Sequence, residues 1–184
     1  MREVELKSVV DDIDRRRSRV EQGGGKLTFD GRLLDRRYGD SAGRLLLIDH
    51  VLRLRIYETG RGREGHLDWK GPTQYEHGYK VREELSSPVA EPDAVADILE
   101  SLGYSVILEI DRHIWQYSLG GATVRFEKYP LMDDLVEVEG PPDAIENGIE
   151  IIGLDRSFYS ADRLTDFVAR FEARTGQRAL LAGE

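Results

Sequence analysis

Near the start of the chain Glu3, Glu5 and Lys7 alternate with Val4 and Leu6. An extended segment sends every second side chain to one face, so the two carboxylates and the lysine share a side. The glutamates then stand roughly 7 Å apart. That spacing lets them share a hard divalent cation directly or through its waters, and the lysine can hold an anionic oxygen bound to that cation. The device recurs along the chain. Glu137 and Glu139 share a face in Leu135-Val136-Glu137-Val138-Glu139, and Arg53 and Arg55 share one between Leu52, Leu54 and Ile56. Lys80, Arg82 and Glu84 form a third set, and Lys70 follows Asp68 opposite Leu67 and Trp69. Two arginines on one strand face repel unless an anion or acidic neighbours lie between them.

The elements that must position these groups are short strands separated by helices. Ser8-Val9-Val10-Asp11 has the pattern of a capping box, so a helix is predicted to open there, with Val10, Ile13 and Val20 inward and Gly23-Gly24-Gly25 ending it. Strand-like pieces follow at Leu27–Phe29 and Arg32–Tyr38, with turns at Asp30-Gly31 and Gly39-Asp40. Leu45 to Glu58 reads as the longest strand, followed by strands at His66–Lys70 and Lys80–Leu85. Pro88 and Pro92 frame the entry to a helix carrying Val95, Ile98, Leu99 and Leu102, which Gly103 caps. Val106–Trp115 and Ala122–Tyr129 are expected to pair through the Gly120-Gly121 turn. A short helix is expected from Asp143 to near Ile151, and a longer one from Ala161 to Arg174 with Leu164, Phe167, Val168 and Phe171 in the core.

The 184 residues are predicted to form one domain, residues 1–184. There are no cysteines, which excludes disulfides and thiolate metal sites. The formal net charge of −9 argues against a nucleic-acid partner. No apolar run approaches the roughly 20 residues of a membrane helix, and the chain opens on a charged strand rather than a signal peptide. A cytoplasmic protein with no membrane partner is expected. His50, His66, His77 and His113 show no metal-ligand spacing, and neither a Walker loop nor a GxGxxG turn is present.

About eight strands with paired charges of both signs on their polar faces point to an α+β protein. Its centre is a closed antiparallel β-barrel with helices outside and a charged lumen. With those faces inward, the lumen receives Glu3, Glu5, Glu84, Glu137 and Glu139 together with Lys7, Arg53, Arg55, Lys70, Arg82 and Arg112. So many buried charges must compensate one another or await a ligand. Grouped glutamates suit Mg²⁺ or Mn²⁺. Facing arginines and lysines suit a polyphosphate, Arg through its planar fork and Lys as a point charge. A small-molecule triphosphate site follows.

The ordered set of motifs resembles the CYTH, or triphosphate tunnel metalloenzyme, superfamily. Glu3-Val-Glu5-Leu-Lys7 is similar to its ExExK signature, and Leu52-Arg53-Leu54-Arg55 to its LRxR strand. Trp69-Lys70-Gly71-Pro72 resembles its lysine strand, Arg82-Glu83-Glu84 its RxE strand, and Arg112-His-Ile-Trp115 its basic strand. Glu137-Val-Glu139 resembles the closing ExE. The resemblance implies an eight-stranded tunnel that binds a triphosphate with Mg²⁺ or Mn²⁺. It assigns metal to Glu3, Glu5, Glu137 and Glu139, with Glu127 standing where the family has an aspartate. Phosphates fall to Lys7, Arg53, Arg55, Lys70, Arg82 and Arg112, with Glu84 beside them, and Lys7 also neutralises the reacting phosphate or orients water. Three features depart from the pattern. Ile110 occupies the place of a lysine common in the family, Asp133 that of a glycine, and Leu33 to Tyr38 only loosely follows a QxDxYF-like strand. The implied activity is hydrolysis of thiamine triphosphate, tripolyphosphate or a nucleoside triphosphate. The alternatives are a class IV adenylate cyclase, to which the departures are least favourable, and a binder of phosphorylated ligands with little turnover. Either monomer or homodimer is compatible with these features.

Overall fold

In each strand the alternation of charged and apolar residues creates two unlike faces. Burying both requires an inner space that tolerates charge and an outer layer that covers carbon. The computed structural model describes residues 2–183 and resolves this demand as a barrel. In chain order the elements are β1 (Arg2–Val9), α1 (Ile13–Gln22), β2 (Lys26–Asp40), α2 (Arg44–Leu47), β3 (Val51–Thr59), β4 (Gly62–Lys70) and β5 (Gln74–Glu76). There follow β6 (Tyr79–Val89), α3 (Pro92–Ser101), β7 (Tyr104–Leu119), β8 (Ala122–Lys128), β9 (Leu135–Glu139), α4 (Pro142–Ile152) and α5 (Leu164–Thr175). The sheet runs β1-β9-β8-β7-β2-β3-β4-β6 and closes through a β1–β6 pairing. All pairings between these strands are antiparallel. The expected eight-stranded ring is therefore present, and β5 adds a ninth strand hydrogen-bonded to β6 outside it.

Helices cover the carbon faces. Helices α1 and α4 lay Ile13, Val20, Ile145, Ile149 and Ile152 over Leu6, Val124, Phe126, Val136 and Val138. Helix α3 sets Ala96 and Leu99 against Leu34, Tyr38, Leu54 and Ile56. Helix α5 is placed differently. Its Phe167 and Phe171 meet Ile110, Tyr129, Met132 and Leu135. Ile110 and Leu135 alternate in phase with Arg112 and Glu137, so α5 packs across an end of the barrel rather than along its side.

Several local expectations are corrected. Ser8 and Val9 do not begin a helix, because Ser8 is fully buried and pairs with Val136. The N-cap is Asp12, whose carboxylate accepts from the Arg15 N–H at 3.0 Å, and Val10 is a core residue outside the helix. Asp30-Gly31 is no turn, since β2 runs unbroken from Lys26 to Asp40. Gly31 instead permits close approach of β3, where a Cβ would lie 2.3 Å from the Glu58 carbonyl oxygen. The run from Leu45 is split. Arg44–Leu47 forms one helical turn, its Leu46 and Leu47 are exposed, and the strand starts only at Val51. Helix α5 begins at Leu164, not Ala161, with its Arg163 N–H held by the Asp166 carboxylate at 2.8 Å, and it runs to Thr175, where Gly176 caps it.

Candidate active site

The ring brings the alternating charged residues to one axis. Strand β1 presents Glu3, Glu5 and Lys7, β3 Arg53 and Arg55, β4 Asp68 and Lys70, and β6 Lys80, Arg82 and Glu84. Register sets the neighbours, with Glu3 beside Arg82, Glu5 between Lys80 and Glu139, and Lys7 beside Glu137. A cavity of about 470 Å³ opens along this axis. Among the predicted residues, Glu3, Glu5, Lys7, Arg53, Lys70, Arg82, Arg112, Glu127 and Glu137 line it. Arg55, Glu84 and Glu139 do not form its wall. Arg55 and Glu84 share the ion-pair cluster of Arg53, and Glu139 lies opposite Glu5 and Thr123 towards the end of β9.

Burial forces pairing. The Lys7 ammonium lies 2.6 Å from both Glu5 and Glu137. Lys70 donates to both oxygens of Glu3 at 2.5 Å, and Lys80 reaches Glu5 at 2.5 Å. Arg53 spans Asp68 at 3.0 Å, Glu84 at 3.1 Å and Asp35 at 3.3 Å, and Arg55 pairs with Asp68. Arg112 donates to Glu127 at 3.0 Å, and the other oxygen of Glu127 accepts from the Tyr129 hydroxyl at 2.5 Å. Arg125 reaches Glu137 at 3.0 Å. Arg82 has no carboxylate partner of this kind and donates to the backbone carbonyls of Gly71 and Asp49, each at 2.6 Å. Asp49 takes a positive φ of 54° to offer that carbonyl, and its carboxylate accepts from Thr73 N at 2.7 Å and Arg163 at 2.8 Å.

The electrostatics follow from who neighbours whom. Burial alone would raise the pKa of Glu5, but Lys7, Lys80 and Lys70 outweigh it and hold the group well below the carboxylate range. Burial and Glu5 also push Glu137 upward, yet Lys7 and Arg125 bring it down to about 2. Glu139 goes the other way. Burial, then Glu137 and Glu3, raise it to about 7. Negative charge therefore outruns its local compensation at that end of β9.

Sequence reasoning left out of the site Asp35, Arg37, Lys80 and Arg125, all on the cavity wall, and Asp68, which anchors Arg53 and Arg55. For Arg125 the signal was available, because Arg125-Phe126-Glu127 carries the same two-residue alternation as the strands that were chosen, whereas Asp35-Arg36-Arg37 is charged throughout and no alternation tells its faces apart. The rim was not foreseen at all. Leu45 and Leu46 of α2, Ile107 and Leu108 of β7 and Leu164 of α5 line the same cavity, giving it an apolar edge.

A charged antiparallel tunnel with these strands in this order has known counterparts. Residues 1–150 match the CYTH domain. The chain belongs to the CYTH domain family. No curated protein matches it in sequence. Among solved structures, a protein of Pyrococcus horikoshii OT3 is 21% identical, with a TM-score of 0.75 over 91% of this chain and 98% of its own. A putative adenylate cyclase from Vibrio parahaemolyticus is 18% identical, with a TM-score of 0.76 over 91% and 97%. A putative adenylyl cyclase from Hippeastrum, described as having a dominant triphosphatase activity, is 15% identical, with a TM-score of 0.63 over 100% and 99%. The CYTH superfamily covers triphosphatases and class IV adenylate cyclases, and its members are usually enzymes. Among the described residues no helix is long and apolar enough to cross a membrane, which leaves β-barrel membrane proteins unaddressed.

CYTH domains are in general metal-dependent, and the luminal donors can be tested for fit. Glu3, Glu5, Glu137 and Glu139 supply the hard oxygen ligands that Mg²⁺ and Mn²⁺ take. The crowding that raises Glu139 is what a divalent cation would relieve. Among the described residues no three acids stand close enough to enclose an ion as the side chains lie. Lysines hold three of them instead: Lys70 on Glu3, Lys80 on Glu5, and Lys7 on both Glu5 and Glu137. The residues fit a hard cation in donor type and charge, with lysines as the partners that would have to yield.

Proposed function

We propose that this CYTH protein is a metal-dependent hydrolase of a small triphosphate bound within the barrel. The observation that carries the reading is a cavity whose wall carries Lys7, Arg53, Lys70, Arg82 and Arg112 interleaved with Glu3, Glu5, Glu127 and Glu137. Such a wall accepts several phosphate groups and excludes bulk water, which strengthens each charge-assisted hydrogen bond. Mg²⁺ or Mn²⁺ held by Glu3, Glu5, Glu137 and Glu139, with Glu127 joining, would neutralise phosphate charge and polarise the scissile bond. The protein's own share is positioning. Arg53, Lys70, Arg82 and Arg112 fix the phosphate chain, Arg55 adds positive charge from beside Arg53, and Glu84 holds Arg53 and Lys70 in place. Lys7, buried between Glu5 and Glu137, stays protonated and offers its ammonium to the reacting phosphate or to the attacking water.

Hydrolysis needs only a positioned water, whereas cyclisation requires a ribose hydroxyl aimed at the α-phosphate. The likeness to a Hippeastrum protein described as a dominant triphosphatase supports the same choice, as an analogy of fold. Purified protein incubated with Mg²⁺ or Mn²⁺ and ATP, thiamine triphosphate or tripolyphosphate should release orthophosphate. Cyclic AMP with pyrophosphate from ATP would replace the hydrolase by a cyclase. Binding without any product would make the protein a binder of phosphorylated ligands.

A further inference from the structure

Arg37 is a luminal cation that stands outside the ion-pair network. Among the described residues its side chain has no carboxylate within salt-bridge distance, and its buried Nε has no hydrogen-bond partner. Lys7, Arg53, Arg55, Lys70, Lys80, Arg112 and Arg125 are all paired with acids, and Arg82 is satisfied by carbonyls. The register makes the omission costly. Arg37 lies directly opposite Arg53 on β3, where like charges face each other across the strands. Burial pulls the Arg37 pKa down, Asp35 opposes it, and Arg53 and Arg112 reinforce it. Arg112 also carries a buried Nη1 without a partner. Two arginines thus bring unfilled N–H donors to one cavity wall.

The other neighbour of Arg37 explains why the cation sits on β2. Across the β2–β7 pair it faces Leu108 at the rim, and Asp35, one luminal step away, faces Ile110. Ile110 is 1% exposed and packed beneath Phe167 and Phe171 of α5, so that position is committed to carbon. Arg37 supplies positive charge beside it, from the next strand.

Resting on the triphosphate reading above, we propose that Arg37 is a phosphate-binding residue of this cavity. Its guanidinium fork, with the free Nη1 of Arg112, receives the end of a polyphosphate chain nearest the rim. An unpaired, half-buried guanidinium is poorly compensated in the empty protein, and an anion between Arg37 and Arg53 supplies the missing charge.

The test reads binding apart from turnover. Inorganic tripolyphosphate is titrated calorimetrically into metal-free protein with chelator present, and the ligand-free melting temperature is recorded. Arg37→Gln should weaken tripolyphosphate binding roughly tenfold to a hundredfold, the range for losing a charged hydrogen-bonding partner. Its ligand-free melting temperature should equal or exceed that of the wild type. The same change at outward-facing Arg36, which pairs with Glu109, should leave affinity unchanged. Arg37→Lys keeps the charge and so folds under any reading. It should lose about threefold to tenfold, because an ammonium cannot replace the fork. Unchanged affinity in both Arg37 variants would overturn the assignment while leaving the triphosphate reading intact. A lower melting temperature with unchanged affinity would make Arg37 a counter-ion for Asp35, overturning it too. Failure of the wild type to bind tripolyphosphate would remove the triphosphate reading and this inference together.

Discussion

Lys7 and Glu137 face each other across the β1–β9 pair with Nζ 2.6 Å from Oε2, and each is neutralised twice. Lys7 also holds Glu5, and Glu137 also holds Arg125. Removing Lys7 therefore leaves two buried carboxylates with one cation each, Lys80 for Glu5 and Arg125 for Glu137. Lys7→Met should destabilise the protein by about 3 kcal/mol, the lower end for breaking a buried ion pair. Urea unfolding read by fluorescence measures this. Turnover should fall at least about a hundredfold, the scale of losing one electrostatic stabiliser of a reacting group. A variant with wild-type rates would remove Lys7 from the chemistry.

Glu137→Gln keeps the shape but removes one proposed metal ligand. Both flanking cations retain other partners, since Lys7 keeps Glu5 and Arg125 keeps Gln116. The fold should survive, with an unchanged circular dichroism spectrum. Mg²⁺- or Mn²⁺-dependent phosphate release should drop by two orders of magnitude or more, as expected when binding of a required ion is disrupted. Full activity would overturn the metal assignment.

Acid and neutral pH should act on stability through opposite groups. Glu137 has its pKa lowered to about 2, so its contribution is present above the ordinary glutamate range and is lost as pH falls from about 4.5 towards 2. Glu139 has its pKa raised to about 7, so its contribution is present below about 4.5 and is lost as pH rises through 7. Metal-free protein should accordingly melt lower at pH 8 than at pH 6. Glu139→Gln should flatten that slope. Added Mg²⁺ or Mn²⁺ should raise the melting temperature more at pH 8 than at pH 6, because the cation binds the ionised carboxylate. An equal rise at both values would detach Glu139 from the ion.

The fold and most of the site were legible because one rule, alternation with period two, governs both. Glu3-Val-Glu5-Leu-Lys7 and Leu135-Val-Glu137-Val-Glu139 state which face is inner without reference to anything else in the chain. The misreadings occur where a local signal competes with a distant partner. Ser8 carries a cap-forming hydroxyl, but pairing with Val136 keeps it in the strand. Asp30-Gly31 has turn composition, but the glycine serves the approach of β3, which only tertiary structure reveals. Leu45 to Ile48 is apolar without period two, and it became the cavity rim rather than a strand. Arg37 went unassigned because its strand departs from the family pattern, although its phase matches Asp35.

Gly31 offers a direct check on that explanation. Gly31→Ala places a methyl group 2.3 Å from the Glu58 carbonyl oxygen, which is rigid backbone. The β2–β3 pair must separate or twist, at a cost of about 1–3 kcal/mol, the range for overpacking. Because Arg53 and Arg55 ride on β3, binding of tripolyphosphate should weaken alongside stability. Gly43→Ala is the contrast. No atom lies within 4 Å of its added Cβ, so only the left-handed φ of 64° is strained, and binding should be spared.

The apolar rim makes the last prediction. Leu46 is 66% exposed yet lines the cavity beside Leu45, Ile107 and Leu164. A side chain so placed gains nothing for the empty fold, but it can cover the organic part of a substrate whose phosphates lie deeper among the cations. Leu46→Ser should leave stability within about 0.5 kcal/mol of wild type, as surface changes do. It should reduce kcat/KM for ATP or thiamine triphosphate by about fivefold to tenfold, the worth of a partly buried leucine. Tripolyphosphate has no organic group to cover, so its kcat/KM should not move. Equal losses on all three substrates would mean that α2 shapes the phosphate site itself. Equal rates on all three would mean that the rim stays outside the substrate's reach.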